Sequence, residues 1–241
     1  MSRPIAVITR NLINLVYPLH CAACKIALDP MNRSGICLSC EGKIKRNPKP
    51  YCLRCGRPVH SDGKLCEECE RTSFAFDRAW SAYLYDGALK ELIHLFKYRG
   101  KLALSGVLCG KICEFIDDTR EIIDGVDLIT FVPLHRGWLN EKEFNQSGIL
   151  AAAISSKFRM PVSRLLEKRV NTRRQNELSR DERLTNLTGA FKPKDNALIG
   201  GANILLIDDV MTTGTTLNEC AKTLKSAGAV EVRCLTLARG L

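Results

Sequence analysis

From Phe76 onward the hydrophobic positions follow two rhythms. Residues 79–85, Ala-Trp-Ser-Ala-Tyr-Leu-Tyr, form an apolar, aromatic-rich run that predicts a strand. Leu89, Leu92, Ile93 and Phe96 then recur at three- and four-residue steps, one face of a helix. Leu104, Val107, Leu108, Ile112, Phe115 and Ile116 repeat that spacing. Leu128 to Val132 predicts a short buried strand, ended by Pro133, which has no amide to donate. Helices are predicted over 144–158 and 217–227, the second stopped by Gly228. Ile204 to Ile207 is wholly apolar, and 230–237 predicts a last strand. Strands that are apolar throughout and alternate with helices point to an α/β fold, a parallel sheet with helices on both faces. The roughly 165 residues after position 75 suffice for one core.

Residues 1–75 are cysteine-rich with few long apolar runs, so the chain is read as an N-terminal module over 1–75 and an α/β domain over 76–241. Eight of the twelve cysteines fall in the first part as four Cys-x2-Cys pairs: Cys21 and Cys24, Cys37 and Cys40, Cys52 and Cys55, Cys66 and Cys69. Each pair sets two thiolates on one side of a tight turn, and two pairs complete a tetrahedral zinc shell. Four pairs therefore make two closed sites, which stabilise a fold and leave no open position for catalysis. Four thiolates also suit an iron–sulfur cluster. Sequential pairing gives a double zinc ribbon; a cross-brace, first pair with third and second with fourth, is open because the intervening loops are nearly equal in length. Gly56, directly after Cys55, suits a knuckle whose amides turn toward sulfur. The other cysteines, 109, 113, 220 and 234, lie in apolar stretches and are expected in the core.

Composition narrows the picture further. With 45% hydrophobic and 26% charged residues the chain is expected to fold, not to be disordered. No stretch reaches the roughly 18–20 apolar residues of a membrane span. Residues 11–24 carry no Asp, Glu, Lys or Arg and imitate part of a secretory leader, but Arg10 breaks the run from Ile5 to Val16. A short amphipathic helix leading into a metal module, in a reducing cytoplasm, is the expectation. The net charge of +10 suits an anionic partner, a phosphorylated small molecule or a nucleic acid. Two tetrathiolate zinc centres, each formally −2, lower that to about +6. The positive field therefore concentrates in residues 157–194, with eleven Lys and Arg against four acids, expected as a cationic loop. A merely solvated surface explains the same charges.

The chemistry concentrates in Ile204 to Thr216, Ile-Leu-Leu-Ile-Asp-Asp-Val-Met-Thr-Thr-Gly-Thr-Thr. An apolar strand delivers Asp208 and Asp209 to its carboxyl end, where open α/β sheets bind ligands. Thr212, Thr213, Gly214, Thr215 and Thr216 then enter a helix, whose amides and hydroxyls make an anion cradle. Thr216 and Glu219 have the spacing of a capping box. Two carboxylates beside a phosphate cradle suit a ligand holding both a diol and a phosphate. The lysine of a P-loop is absent, which disfavours that kind of ATP hydrolysis.

This segment resembles the 5-phosphoribosyl-1-diphosphate (PRPP) motif of type I phosphoribosyltransferases. Tyr85-Asp86-Gly87, Leu92-Ile93, Phe96-Lys97-Tyr98, Val132-Pro133-Leu134, Phe144-Asn145-Gln146 and Arg169 to Phe191 extend the likeness, and the whole chain resembles the ComF family of competence protein F-like and GntX-like proteins. The resemblance implies a zinc module joined to a type I phosphoribosyltransferase-like domain in a cytoplasmic bacterial protein linked to transformation and single-stranded DNA handling. It implies Asp208 and Asp209 on the ribose, residues 212–216 on the 5′-phosphate, Val132, Pro133 and Leu134 at the diphosphate, and magnesium bound with PRPP. Lys142, Arg173 and Arg174 are further diphosphate candidates, and Arg173, Arg174 and Arg180 are candidates for phosphate or single-stranded DNA. Two departures stand out: Lys142-Glu143 replaces the family's Arg-Gly, and Thr212 replaces the acid of 6-oxopurine enzymes. The reading is a phosphoribosyltransferase with an undefined acceptor. The alternatives are a PRPP sensor or single-stranded DNA adaptor, and a docking ribbon for DNA-uptake and recombination proteins.

Overall fold

The computed structural model describes residues 19–61, 63–98, 102–134, 144–169 and 189–240. The cysteine-rich part holds two short helices, α1 (Leu38–Gly42) and α2 (Glu67–Arg71). There follow β1 (Arg78–Leu84), α3 (Gly87–Tyr98), α4 (Ser105–Asp118), β2 (Leu128–Phe131), α5 (Gln146–Phe158), β3 (Leu166–Lys168), β4 (Phe191–Pro193), α6 (Asn196–Ile199), β5 (Asn203–Met211), α7 (Thr215–Ser226) and β6 (Glu231–Arg239).

Four strands form one parallel sheet in the order β1-β6-β5-β2, with Leu128 opposite Ile204, Ile204 opposite Val232, and Arg78 opposite Arg233. The central strand β5 is covered on both faces, which is why Ile204 to Ile207 is apolar at every position. Leu205, Ile207, Leu235 and Leu237 pack with α3, α4 and α5 in one cluster. Ile204, Leu206, Val232 and Cys234 pack with α7 in the other. Each such side chain contributes about 1.5–3 kcal/mol by leaving water. β5 runs four residues beyond the apolar stretch because β6 keeps pairing with it as far as Met211 opposite Arg239.

β1 is an edge strand, and an open edge invites pairing with another chain. Here the cysteine module closes it. Asn47 N donates to Ala82 O (3.1 Å), Leu84 N to Lys45 O (3.0 Å) and Ala79 N to Arg54 O (2.7 Å). The module straddles this edge: the first cysteine tetrad joins the α3–α4–α5 cluster, the second joins the α7 cluster. Gly56 has φ of +68°, and a Cβ there would lie 2.8 Å from Ala79 O. Close approach of the second ribbon to β1 therefore requires the glycine, in addition to any turning of amides toward sulfur.

Two local expectations are corrected. Thr216 and Glu219 form no capping box. α7 starts at Thr215 after Gly214 in the left-handed region (φ 79°), the Thr215 amide donates to Thr213 Oγ1 (3.4 Å), and Glu219 pairs with Lys222 at 2.6 Å. Within 157–194, β3 and β4 form an antiparallel ribbon, Leu166 opposite Pro193, which three-residue strands leave unreadable in sequence. Residues 170–188, the expected cationic loop, lie outside the described residues.

Candidate functional site

The cysteines segregate sequentially. Cys21, Cys24, Cys37 and Cys40 form one group and Cys52, Cys55, Cys66 and Cys69 the other, each with all sulfurs within 4.8 Å of one another. Cross-bracing is thereby excluded. Zinc at about 2.3 Å from each sulfur places sulfurs about 3.8 Å apart; Cys24 and Cys37 are 3.8 Å apart, Cys55 and Cys66 3.6 Å. No cysteine is in a disulfide. Burial opposes charge on Cys21, but the amides of Cys24, Cys37 and Ala23 outweigh it and pull the thiol down to about 6. Burial likewise opposes charge on Cys52, and the amides of Cys55, Cys66 and Arg54 bring it to about 7. Burial and neighbouring sulfurs push Cys40 up to about 12, and Cys69 is also raised. One thiolate per tetrad is prepared by backbone donors, and the set ionises together only around a cation. The two tetrads fit two structural zinc ions.

The acid pair sits at the carboxyl end of β5. Asp208 is half-buried; its Oδ1 accepts from Ser147 Oγ (2.8 Å) and from the Asp209 amide (2.9 Å). Its Oδ2 accepts no hydrogen bond among the described residues. Burial, then the Asp209 charge, pushes the Asp208 carboxyl up to about 7 against the pull of Lys97 and Ser147. Asp209 is 5% exposed and is gripped by Lys97 Nζ, 3.0 Å from Oδ1 and 2.9 Å from Oδ2. Lys168, half-buried on β3, lies within electrostatic reach of Asp208; burial lowers its pKa.

The Phe144-Asn145-Gln146 motif explains how these partners converge. Asn145 caps α5 through Gly148 N (3.3 Å) and donates Nδ2 to Val132 O (3.0 Å). Gln146 Nε2 reaches Lys97 O (3.3 Å), and the Phe144 ring leans on Phe96 at 5.4 Å. The start of α5 thus ties the end of α3, which carries Lys97, to the ends of β2 and β5. Val132, Pro133 and Leu134 emerge beside β5, where Val132 N donates to Ile207 O (3.0 Å).

Past the acids, Thr212 is exposed, Gly214 and Thr215 are buried, and Thr213 and Thr216 lie between. The Thr213 and Thr215 hydroxyls are 2.8 Å apart. Both line a 530 Å³ cleft whose other walls include Arg57, Glu68 and Arg71 of the second ribbon and Lys222 of α7. The Phe74–Phe76 stack and the bond from Ala75 N to Asn218 Oδ1 (2.7 Å) strap the segment after the ribbon to α7. The structure therefore brings Asp208, Asp209, residues 212–216 and Val132 to Leu134 to one end of the sheet. Lys142, Arg173, Arg174 and Arg180 lie outside the described residues. Lys97, Ser147 and Lys168 join the site without having been singled out; Lys97 stood within the quoted motif Phe96-Lys97-Tyr98, the one available signal.

Two closed cysteine tetrads on the edge of a parallel sheet, with an acid pair and a threonine-lined helix start at the end of its central strand, define a double zinc ribbon joined to a phosphoribosyltransferase-like domain. Residues 12–70 match the double zinc ribbon domain and residues 145–241 the phosphoribosyl transferase domain. The chain is 31% identical over 214 residues to Competence protein ComFC of Bacillus subtilis (strain 168), covering 85% of this chain and 84% of that one. It is 28% identical to Competence protein F of Haemophilus influenzae, covering 92% of this chain and 98% of that one. DNA utilization protein YhgH of Escherichia coli (strain K12) is 29% identical, with 92% and 98% covered. The chain belongs to the ComF family. Among the described residues no helix is long and apolar enough to cross a membrane.

Proposed function

We propose that this chain binds PRPP with magnesium and transfers its phosphoribosyl group to a nitrogen nucleophile, in the service of DNA uptake. One observation carries the reading: a carboxylate pair near the carboxyl end of β5 stands shortly before a helix start whose N-cap, Gly214, has no side chain, with Thr213 Oγ1 taking the Thr215 amide at 3.4 Å. Asp208 Oδ2 and the oxygens of Asp209 accept hydrogen bonds from the ribose hydroxyls, Lys97 yielding part of its hold on Asp209. The amides and hydroxyls of residues 212–216 hold the 5′-phosphate, and the backbone of Val132 to Leu134 borders the diphosphate. Lys142, Arg173 and Arg174 supply further charge to the leaving diphosphate. Among the described residues, groups of three or more metal-ligating side chains occur only in the cysteine tetrads, and magnesium would be brought by the ligand. When bound it neutralises charge on the departing diphosphate. The residues position the ligand and stabilise charge as the glycosidic bond breaks.

Titration calorimetry with magnesium and PRPP tests binding; no heat up to millimolar ligand removes this reading. The names of the three relatives favour a second reading of the same site: they denote competence and DNA utilization, none a transferase. In that reading PRPP is a sensed ligand, and the basic segment with Arg173, Arg174 and Arg180 holds single-stranded DNA for uptake and recombination partners. Diphosphate release measured over a panel of nitrogen acceptors separates the two, since a sensor binds PRPP and releases none. Metal-binding cysteine tetrads suit a reducing compartment, and we place the protein in the cytoplasm.

A further inference from the structure

β6 ends on Arg239, whose side chain is 1% exposed, the one fully buried Lys or Arg among the described residues. Its backbone is locked into the sheet opposite Met211 of β5 and Leu84 of β1. Its guanidinium turns toward the second ribbon, where Nη1 donates to Cys55 O at 3.3 Å. Nε has no acceptor, and among the described residues no carboxylate comes within ion-pair distance. Glu68, the nearby acid, is engaged by Arg57 at 2.5 Å. A buried cation with one long bond to a neutral carbonyl is unfavourable unless an anion lies near.

The tetrad beside it supplies that anion. Cys52, Cys55, Cys66 and Cys69 are all buried, and four thiolates around one divalent ion carry a net charge of −2. We infer that Arg239 is the internal counter-ion of the zinc-loaded second centre, a residue that touches no metal and holds the site by charge. The first tetrad differs: Cys24 is exposed, Cys37 is half-buried, and no fully buried Lys or Arg stands near it among the described residues. Water screens the first centre; Arg239 screens the second. Zinc occupancy of the second ribbon is thereby coupled to the sheet strand that pairs with Met211, at the root of the threonine loop.

The test uses the full-length zinc-loaded protein, with zinc release to a chromophoric chelator followed in time. Wild type releases two zinc ions in a fast and a slow phase, and Cys24→Ser removes the fast one, assigning it to the first centre. Arg239→Met speeds the slow phase about 10- to 100-fold, the usual scale for outer-shell partners of a metal, and leaves the fast phase unchanged. Arg239→Lys, which keeps the charge, stays much closer to wild type. An unchanged slow phase in Arg239→Met overturns the inference, as does equal acceleration of both phases or identical behaviour of the Lys and Met variants. Should Arg239→Met aggregate, Arg239→Gln serves as the neutral variant. Failure of both neutral variants beside a folded, two-zinc Arg239→Lys supports a charge requirement; failure of all three overturns it.

Discussion

Lys97 places one ammonium between both oxygens of Asp209, at 3.0 and 2.9 Å, although 112 residues separate them. That bond lets two adjacent carboxylates coexist on one strand end, since like charges side by side raise each other's cost. It also means that a ribose diol competes with an internal cation for the same carboxylate.

Removing the cation exposes that balance. Lys97→Met leaves the nearly buried Asp209 without its partner and is expected to lower stability by about 1–3 kcal/mol. Asp209→Asn added to Lys97→Met recovers part of the loss, because the neutral amide no longer needs a counter-charge. Thermal unfolding of the two single variants and the double variant, at constant zinc, gives the coupling.

Asp208 confers a pH dependence whose sign is fixed. Its carboxyl is held up at about 7, above the ordinary 3.8, so the folded state keeps a proton that the unfolded state releases between those values. This contribution to stability is fully present below about 4 and is lost as pH rises through 7. Asp208→Asn, which stays neutral, is therefore expected to unfold roughly 1–3 kcal/mol later than wild type at pH 8, with a smaller gain at pH 5. Paired denaturant titrations at the two pH values measure it.

Ligand binding runs the opposite way. An ionised Asp208 accepts from the ribose better than a protonated one, so PRPP affinity is expected to rise from pH 6 to 8. Asp208→Asn flattens that rise and costs about 10- to 100-fold in affinity, the worth of one charge-assisted bond. Calorimetry across the pH range, with magnesium constant, reads both effects.

Gly214 tests the helix entry. At φ 79° an alanine is strained by about 1–2 kcal/mol, and its Cβ would lie 2.7 Å from Met211 Cε and 3.4 Å from the Phe74 ring. Gly214→Ala is expected to weaken PRPP binding at least tenfold while the zinc content stays at two. Calorimetry and metal analysis of one preparation check the pair of outcomes.

Zinc removal acts on the sheet edge. Chelation frees the strand-like cover of residues 45–47 and 54 from β1, so the protein is expected to self-associate as well as lose stability. Cys66→Ser, in the buried tetrad, has the larger effect; Cys24→Ser, at an exposed ligand, has the smaller. Light scattering during chelation distinguishes them.

Some of this architecture is local and was therefore legible. The helices of 87–98 and 105–118 announce themselves because their apolar positions lie within four residues of one another, and the apolar core of β5 over 204–207 because it is covered on both sides. The threonine loop and the four cysteine pairs are equally local, each a few adjacent residues whose chemistry needs no distant partner. The length of β5 was underestimated because its polar end is kept extended by hydrogen bonds to β6, not by its own composition.

The chain alone thus determined the apolar strands and helices, the eight metal-ligating thiols and the adjacent acids before a threonine-rich turn. Only the tertiary structure decided that the cysteine pairs close sequentially, that the ribbons close the open edge of β1, that Ser147 and Lys97 divide the two acids between them, and that Arg239 lies beside the second tetrad. The physical reason is range. Periodicity and motif spacing act over a few residues, whereas a buried charge finds its counter-charge wherever the packed sheet brings one near, at any separation along the chain.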